Sequence, residues 1–188
     1  PITSFYDQGV GIKFKVTVNN DTIDIYGRNA AGTDVLSCTV TDPSVTCRNY
    51  ILSISIDLSS TANRHVLING LPAASISWAT YTNADIDFAP GTPRYFVGAN
   101  LTTPTEWYVG RLGNVFFHTS YIDLSVPANL AKFVDGTGID AKPVDMGANG
   151  ELPLGVTPLI YLPMYGNNAG KNYGSGGDFT VNSGPYPG

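Results

Sequence analysis

Residues 51–70 read ILSISIDLSSTANRHVLING. Leu52, Ile54 and Ile56 alternate with Ser53, Ser55 and Asp57, so one side of the segment is apolar and the other polar. That is the period of a β-strand with one buried face. The alternation stops at Asp57, crosses a short polar loop, and returns with Val66 and Ile68 as a second inward row. Asn69 and Gly70 follow, a pair suited to the positive φ of a tight hairpin turn, and Leu71 resumes. This succession predicts an antiparallel β protein.

The flanking sequence extends the pattern. Ile12, Phe14, Val16 and Val18 alternate with Lys13, Lys15 and Thr17, a half-buried strand. A two-residue turn at Asn20 and Asp21 would pair Val18 with Ile23 and Val16 with Ile25, placing all four on one face. Ile76 and Trp78 mark another short strand, residues 80–93 a polar, turn-rich stretch, and residues 94–98 a strand. A loop over 99–106 leads to a strand beginning at Trp107. Residues 109–118 are apolar at both parities, which predicts a strand covered on both faces. Ser125 suits a helix cap, with Pro127 in the first turn and Leu130, Phe133 and Val134 as the apolar stripe. From Asp135, Gly, Asn, Pro and Asp dominate to Gly155. Residues 159–162 predict a closing strand, 167–177 a glycine- and asparagine-rich loop, 179–181 a last short strand, and 184–188 a tail. No fixed-period repeat is present.

With 188 residues the chain suits one domain, 1–188, whose residues 135–188 form a loop-rich extension packed on the sandwich. Charged residues make up 13%, against about a quarter in typical domains, and Gly, Pro, Asn, Ser and Thr fill the difference. That mix suits short strands and tight turns. The net charge of −5 and the lack of a basic run argue against nucleic acid as a partner. No apolar run approaches the roughly 20 residues of a spanning helix, so membrane insertion is not expected. The chain opens on Pro1, which fits processing, truncation or an excerpt.

The two cysteines are Cys38 and Cys47. If residues 36–41 and 44–48 pair as a hairpin, Cys38 lies opposite Cys47, at about 4.5 Å between Cα atoms for a non-hydrogen-bonded pair. A bridge formed outside the cytosol is the favoured expectation, and two reduced, partly buried thiols the alternative. No His or Cys pair nearby completes a metal site.

The order of these elements carries a resemblance. The 51–70 unit with its Asn-Gly turn, then Tyr95-Phe96-Val97-Gly98, then residues 110–117 (GRLGNVFF), then a short helix over 127–134, resembles the concanavalin A-like lectin/glucanase superfamily, in particular its laminin-G and pentraxin-like branch. The likeness covers residues 10–135. It implies an all-β jelly-roll sandwich of two antiparallel sheets with one short helix and a loop-rich C-terminal region. Residues 165–184 (YGNNAGKNYGSGGDFTVNSG) are similar to segments of phage and prophage structural proteins that carry laminin-G-like domains. That implies a virion-surface or extracellular protein, a capsid decoration or tail-associated adhesin, with other virion subunits or further copies of itself as partners.

Glycoside hydrolysis needs two carboxylates about 5–9 Å apart across one sugar ring. The glucanases of the superfamily carry three acids on alternate strand positions. Asp85 and Asp87 echo two of them, but Ala89 stands at the third, and Pro90 and Gly91 end any strand at once. A solvated loop is the stronger reading, and no catalysis is expected. His65 and His118 neighbour no nucleophile-elbow motif, so each reads as a packed or surface histidine. Gly174, Ser175, Gly176 and Gly177 lack the lysine and helix of a phosphate loop. No cofactor is required. Relatives that bind calcium make it compatible here, through Asp135, Asp140, Asp145 and Asn149, or through Asp85 and Asp87, although none has the spacing of an ordered calcium loop.

Sugars are gripped by stacking on Trp or Tyr while Asn and Asp bond the hydroxyls. Three clusters offer this: Trp107 and Tyr108 after the loop from Asn100; Trp78 and Tyr81 beside Asn83, Asp85 and Asp87; and Tyr165, Asn167, Asn168 and Tyr173. For Trp78 and Trp107 individually, burial in the core outweighs ligand contact. Asn20-Asp21-Thr22 and Asn100-Leu101-Thr102 match the glycosylation sequon, a pattern short enough to arise by chance. The leading functional expectation is a glycan-binding surface module, the second a structural particle component without ligand, and the third a glucanase.

Overall fold

The computed structural model describes residues 3–7, 11–19, 21–42, 49–88, 93–99, 110–164 and 168–181. Among the described residues the fold is all-β apart from one short α-helix and a single 3-10 turn at Gly138–Asp140. The first layer is an antiparallel sheet built from β1 (Thr3–Asp7), β2 (Gly11–Asn19), β3 (Thr22–Arg28), β4 (Asp34–Thr41), β8 (Ser75–Tyr81) and β9 (Pro93–Val97). Its strand order is β8-β4-β3-β2-β1-β9. The second layer holds β5 (Leu52–Ile56), β6 (Arg64–Ile68) and β7 (Leu71–Pro72) as one sheet, with β10 (Val115–Phe117) paired to β13 (Ile160–Leu162) as another. The chain leaves the first layer after β4, builds β5 to β7 opposite, and returns as β8. The sheets are open, and they face each other as a sandwich.

The predicted hairpin is present in its predicted register: Val18 pairs with Ile23 and Val16 with Ile25. Carried across four strands, that register makes three inward rows. They are Phe14–Gly27–Leu36–Tyr81, Val16–Ile25–Cys38–Trp78 and Val18–Ile23–Val40–Ile76. The opposite face carries Lys15, Tyr26, Ser37 and Thr80, then Thr17, Asp24, Thr39 and Ser77. Apolar inward and polar outward is what a one-sided sheet requires. Gly27 interrupts the first row for a reason: a Cβ there would lie 2.9 Å from Ile86 Cδ1, so the missing side chain admits Ile86 from the 82–88 loop.

Val66 and Ile68 of β6 and Ile160 and Leu162 of β13 join the inward rows in one buried core. Each such side chain contributes about 1.5–3 kcal/mol relative to exposure. The Asn69-Gly70 turn takes the expected left-handed backbone, with φ of 53° and 73°. Residues 118–146 lie over the other face of β5 and β6, where the Ser55 hydroxyl donates to Ile122 O at 2.6 Å and accepts from Ile122 N at 3.1 Å. This covering segment includes α1 (Pro127–Leu130) and the small pair β11 (Val134–Asp135) and β12 (Lys142–Pro143).

Several expectations are corrected. Of the strand expected over 109–118, the described residues 110–118 form only Val115–Phe117, with Asn114 just before it at a left-handed φ of 52°. Ser125 does not cap the helix; its hydroxyl and N–H both go to Asp123 Oδ1, and the cap residue is Val126. Phe133 lies beyond the helix, edge-on to Phe116. Residues 179–181 are not a strand, although Phe179 N–H bonds Gly170 O at 2.8 Å. The hairpin of 36–41 with 44–48 is not formed, since β3 and β8 occupy both edges of β4. Cys38 is a free, buried thiol between Ile25 and Trp78, and Cys47, the other half of the expected bridge, lies outside the described residues. Among the described residues no helix is long and apolar enough to cross a membrane.

Candidate functional site

Strict alternation would put Trp78 and Tyr81, three residues apart, on opposite faces of β8. A β-bulge prevents this. Ser37 pairs with Thr80 and Cys38 with Trp78, leaving Ala79 as the extra residue. A bulge re-aims the side chains that follow it, and here it turns Tyr81 onto the same inward face as Trp78. The two rings meet edge to face, with centroids 5.4 Å apart at 87°. Both are half-buried and packed on the core, on the edge strand of the first sheet.

The 57–63 loop fixes this corner. The Tyr81 hydroxyl donates to Asp57 O at 2.7 Å and lies 3.0 Å from Ser60 O. Desolvation, more than the neighbouring charges, raises the Tyr81 phenol above its ordinary range. The Asp57 carboxylate holds its own loop together, accepting from Ser59 N–H, Ser59 Oγ and Asn63 Nδ2 at 3.0, 2.7 and 2.8 Å. Those bonds, the Ser59 N–H first, hold its carboxyl below the usual range.

Arg64 completes the corner from the facing sheet. It opens β6 opposite Ile56, on the parity of Val66 and Ile68, and its Cζ lies 4.8 Å from the Trp78 ring centroid and 5.2 Å from that of Tyr81. The inward parity of an arginine at the head of an apolar row was readable in the sequence; the aromatic corner it meets was not, because the bulge breaks the period.

The other expected residues are separated. Asp85 is exposed on the loop after β8. Asp87 instead turns to Lys13, with Nζ 3.2 Å from its Oδ2. Lys13 is 0% exposed, and its Nζ also donates to Asn29 O and Ala30 O, each at 3.1 Å. It too is a bulge residue, skipped between the pairs Phe5–Phe14 and Tyr6–Ile12. Asn100, Trp107, Tyr108, Tyr165 and Asn167 lie outside the described residues. Asn168 is exposed, and the Tyr173 N–H bonds Tyr161 O. Among the described residues no group of three or more His, Cys, Asp or Glu is placed to hold a metal ion, and Asp135, Asp140 and Asp145 do not converge.

A second polar cluster contains the residue types of a nucleophilic triad without its wiring. His65 Nε2 lies 2.8 Å from Tyr121 Oη and 3.2 Å from Asp123 Oδ1. The Ser125 hydroxyl bonds Asp123, not His65, so the imidazole is not positioned to take its proton as in a triad. The cluster instead joins β6 to the covering segment. His118 Nδ1 accepts its own Ser120 N–H at 2.9 Å. Compared with family models, curated proteins and solved structures, the chain has no match in any of the three.

Proposed function

We propose that the chain is a non-catalytic surface-binding module of the concanavalin A-like kind, carried on a virion or another extracellular surface and binding glycans at the sandwich rim. The observation that supports this most is the bulge at Ala79, which sets Trp78 and Tyr81 at right angles on the edge strand of the first sheet. A rigid, half-exposed aromatic corner is the surface on which the apolar face of a pyranose stacks. Calcium is not needed for that stacking. Against hydrolysis stand the unequal acids: Asp87 faces the Lys13 ammonium while Asp85 points to water, so the two do not share a proton-transfer role across one sugar. Affinity per site would be weak and raised by many copies on one particle.

A glycan array probed with the chain displayed on beads tests this. Retention on a subset of glycans, reduced at least about tenfold by Trp78→Phe with an unchanged circular dichroism spectrum, is the expected result. A folded, multivalent chain retained on no glycan would refute it.

The second reading, a structural particle component, is favoured by Ile139, which is 86% exposed and follows Gly138, whose Cβ position lies 3.9 Å from the exposed Leu71. Other virion subunits or further copies of this chain would cover such residues. Loss of assembly on Ile139→Asp, with glycan retention unaffected, would place that role alongside the first.

A further inference from the structure

Six of the described cations are held in one of two ways. Lys13, Arg28 and Lys171 face Asp87, Asp34 and Asp178 at 3.2, 2.8 and 3.0 Å. Arg111, Lys132 and Lys142 stand in water. Arg64 belongs to neither group. It is half-buried and set against two aromatic rings, yet among the described residues its guanidinium makes no ion pair and no side-chain hydrogen bond. The carboxylate of the adjacent loop does not supply the missing anion, because Asp57 is occupied by Ser59 and Asn63.

A guanidinium presents five N–H donors in a planar fork, and the faces of Trp78 and Tyr81 can take none of them as a carboxylate would. The rings hold the cation in place by cation–π attraction and leave its donors for something else. The holding is rigid, since Tyr81 is tied to Asp57 O and Ser60 O and Trp78 is fixed by the core row Val16–Ile25–Cys38. A fork immobilised before binding loses little freedom when it receives a two-oxygen anion.

We infer that Arg64 is an anion anchor, and that the glycan taken at this rim is an acidic one, carrying a carboxylate or sulfate that the guanidinium grips in two-pronged fashion while the sugar ring lies against the Trp78–Tyr81 corner. The inference rests on the glycan-binding reading and narrows its ligand class. Carboxylated and sulfated sugars share the chemistry of two coplanar oxygens bearing negative charge.

The test uses the intact chain and measures binding by titration calorimetry and by the fluorescence of Trp78 in a Trp107→Phe background. The probes are oligogalacturonate, a sulfated galactan oligosaccharide, a neutral galactan of matched length, and inorganic sulfate. The expected result is binding of one or both acidic oligosaccharides in preference to the neutral one. That binding should weaken about 10- to 100-fold in Arg64→Met and less in Arg64→Lys, and decline with added salt. Comparison of the two acidic probes distinguishes carboxylate from sulfate. Urea midpoints of both variants show whether the fold is kept; should Arg64→Met unfold, the Arg64→Lys data and the wild-type preference decide. Neutral and acidic sugars bound equally would overturn the anchor and leave the glycan reading intact. Inorganic sulfate quenching Trp78 through Arg64, with no sugar bound, would keep an anion site and remove the glycan. Binding of none of the probes would remove both.

Discussion

Asn172 and Tyr161 are joined side chain to backbone: the Asn172 Oδ1 accepts the Tyr161 N–H at 2.9 Å. The same oxygen takes the Gly174 N–H at 3.0 Å, and Nδ2 donates to Leu159 O at 3.1 Å and to Gly176 O. One amide thereby fastens the 168–181 loop along the entry to β13. The loop lies so close that a Cβ on Gly174 would sit 2.7 Å from Pro158 O. Asn172 is only 5% exposed, so its partners have little water to replace it. Asn172→Ala is expected to cost about 2–4 kcal/mol in urea unfolding, since it leaves several buried backbone groups unpaired. Asn172→Asp should cost at least as much, because it sets a second oxygen against the Leu159 and Gly176 carbonyls. A loss under about 0.5 kcal/mol for both would mean the loop is not held this way.

Much of the first layer was legible because local and long-range signals agreed. The turn at Asn20 and Asp21 and the apolar rows demanded the same register, and that register is the one observed. The bulges were not legible. Lys13, Val35 and Ala79 are each an extra residue in one strand, and nothing in a period-two pattern marks which residue the partner skips. The aromatic corner depends on one of these bulges, so Trp78 and Tyr81 could be named separately but not brought together. The C-terminal glycines read as a featureless loop, because their reason, contact with the Pro158 and Leu159 carbonyls, lies on a segment distant in sequence. The misjudged cysteine hairpin had a similar cause: β8 takes the edge of β4 that the nearer residues 44–48 were expected to fill.

Lys13 and Asp87 offer a double-mutant cycle. The Lys13 ammonium is wholly buried, and its acceptors are Asn29 O, Ala30 O and the Asp87 carboxylate. Lys13→Met removes the positive charge and keeps most of the volume, leaving the carboxylate at a largely covered position without its ammonium. A loss of about 2–4 kcal/mol is expected. Asp87→Asn should cost less, because the ammonium keeps its two carbonyls. The double variant should cost less than the two singles summed, and the difference is the coupling. Strict additivity would show that the pair contributes nothing to the seating of the 82–88 loop.

Cys38 lies in the core row between Ile25 and Trp78, and burial foremost, with the Asp24 charge adding, pushes its thiol up to about 12. The thiolate is the reactive form, so the folded protein should be inert to alkylation at pH 8. In a Cys47→Ser chain, iodoacetamide should label Cys38 at least about 100-fold more slowly in buffer than in denaturant, because only the rarely open population reacts. Labelling at equal rates would contradict burial. In the unaltered chain, a native mass lower by the two hydrogens of a disulfide would contradict the free thiol.

The charged groups also set the pH range of stability. Asp34, Asp57, Asp123 and Asp178 are all held below the ordinary 3.8 by the hydrogen bonds they accept, from Tyr26, Ser59, Ser125 and Lys171 respectively. A depressed carboxyl contributes stability that is present above 3.8 and lost as pH falls below it. On the alkaline side the signs reverse. Desolvation raises Cys38 from 9.0 to about 12, and raises Tyr26, with help from its bond to Asp34, from 10.0 to about 12. Both favour the folded state while protonated. Their contribution is complete below 9.0 and 10.0 and fades as pH climbs toward about 12. Urea midpoints should therefore form a plateau from about pH 5 to pH 9 with a fall on each side. Cys38→Ala should move the start of the alkaline fall upward by about one unit, leaving the raised tyrosines, Tyr26 and Tyr81 among them, as its cause, without altering the acid limb. An alkaline limb unchanged in that variant would mean that the Cys38 proton is not linked to folding.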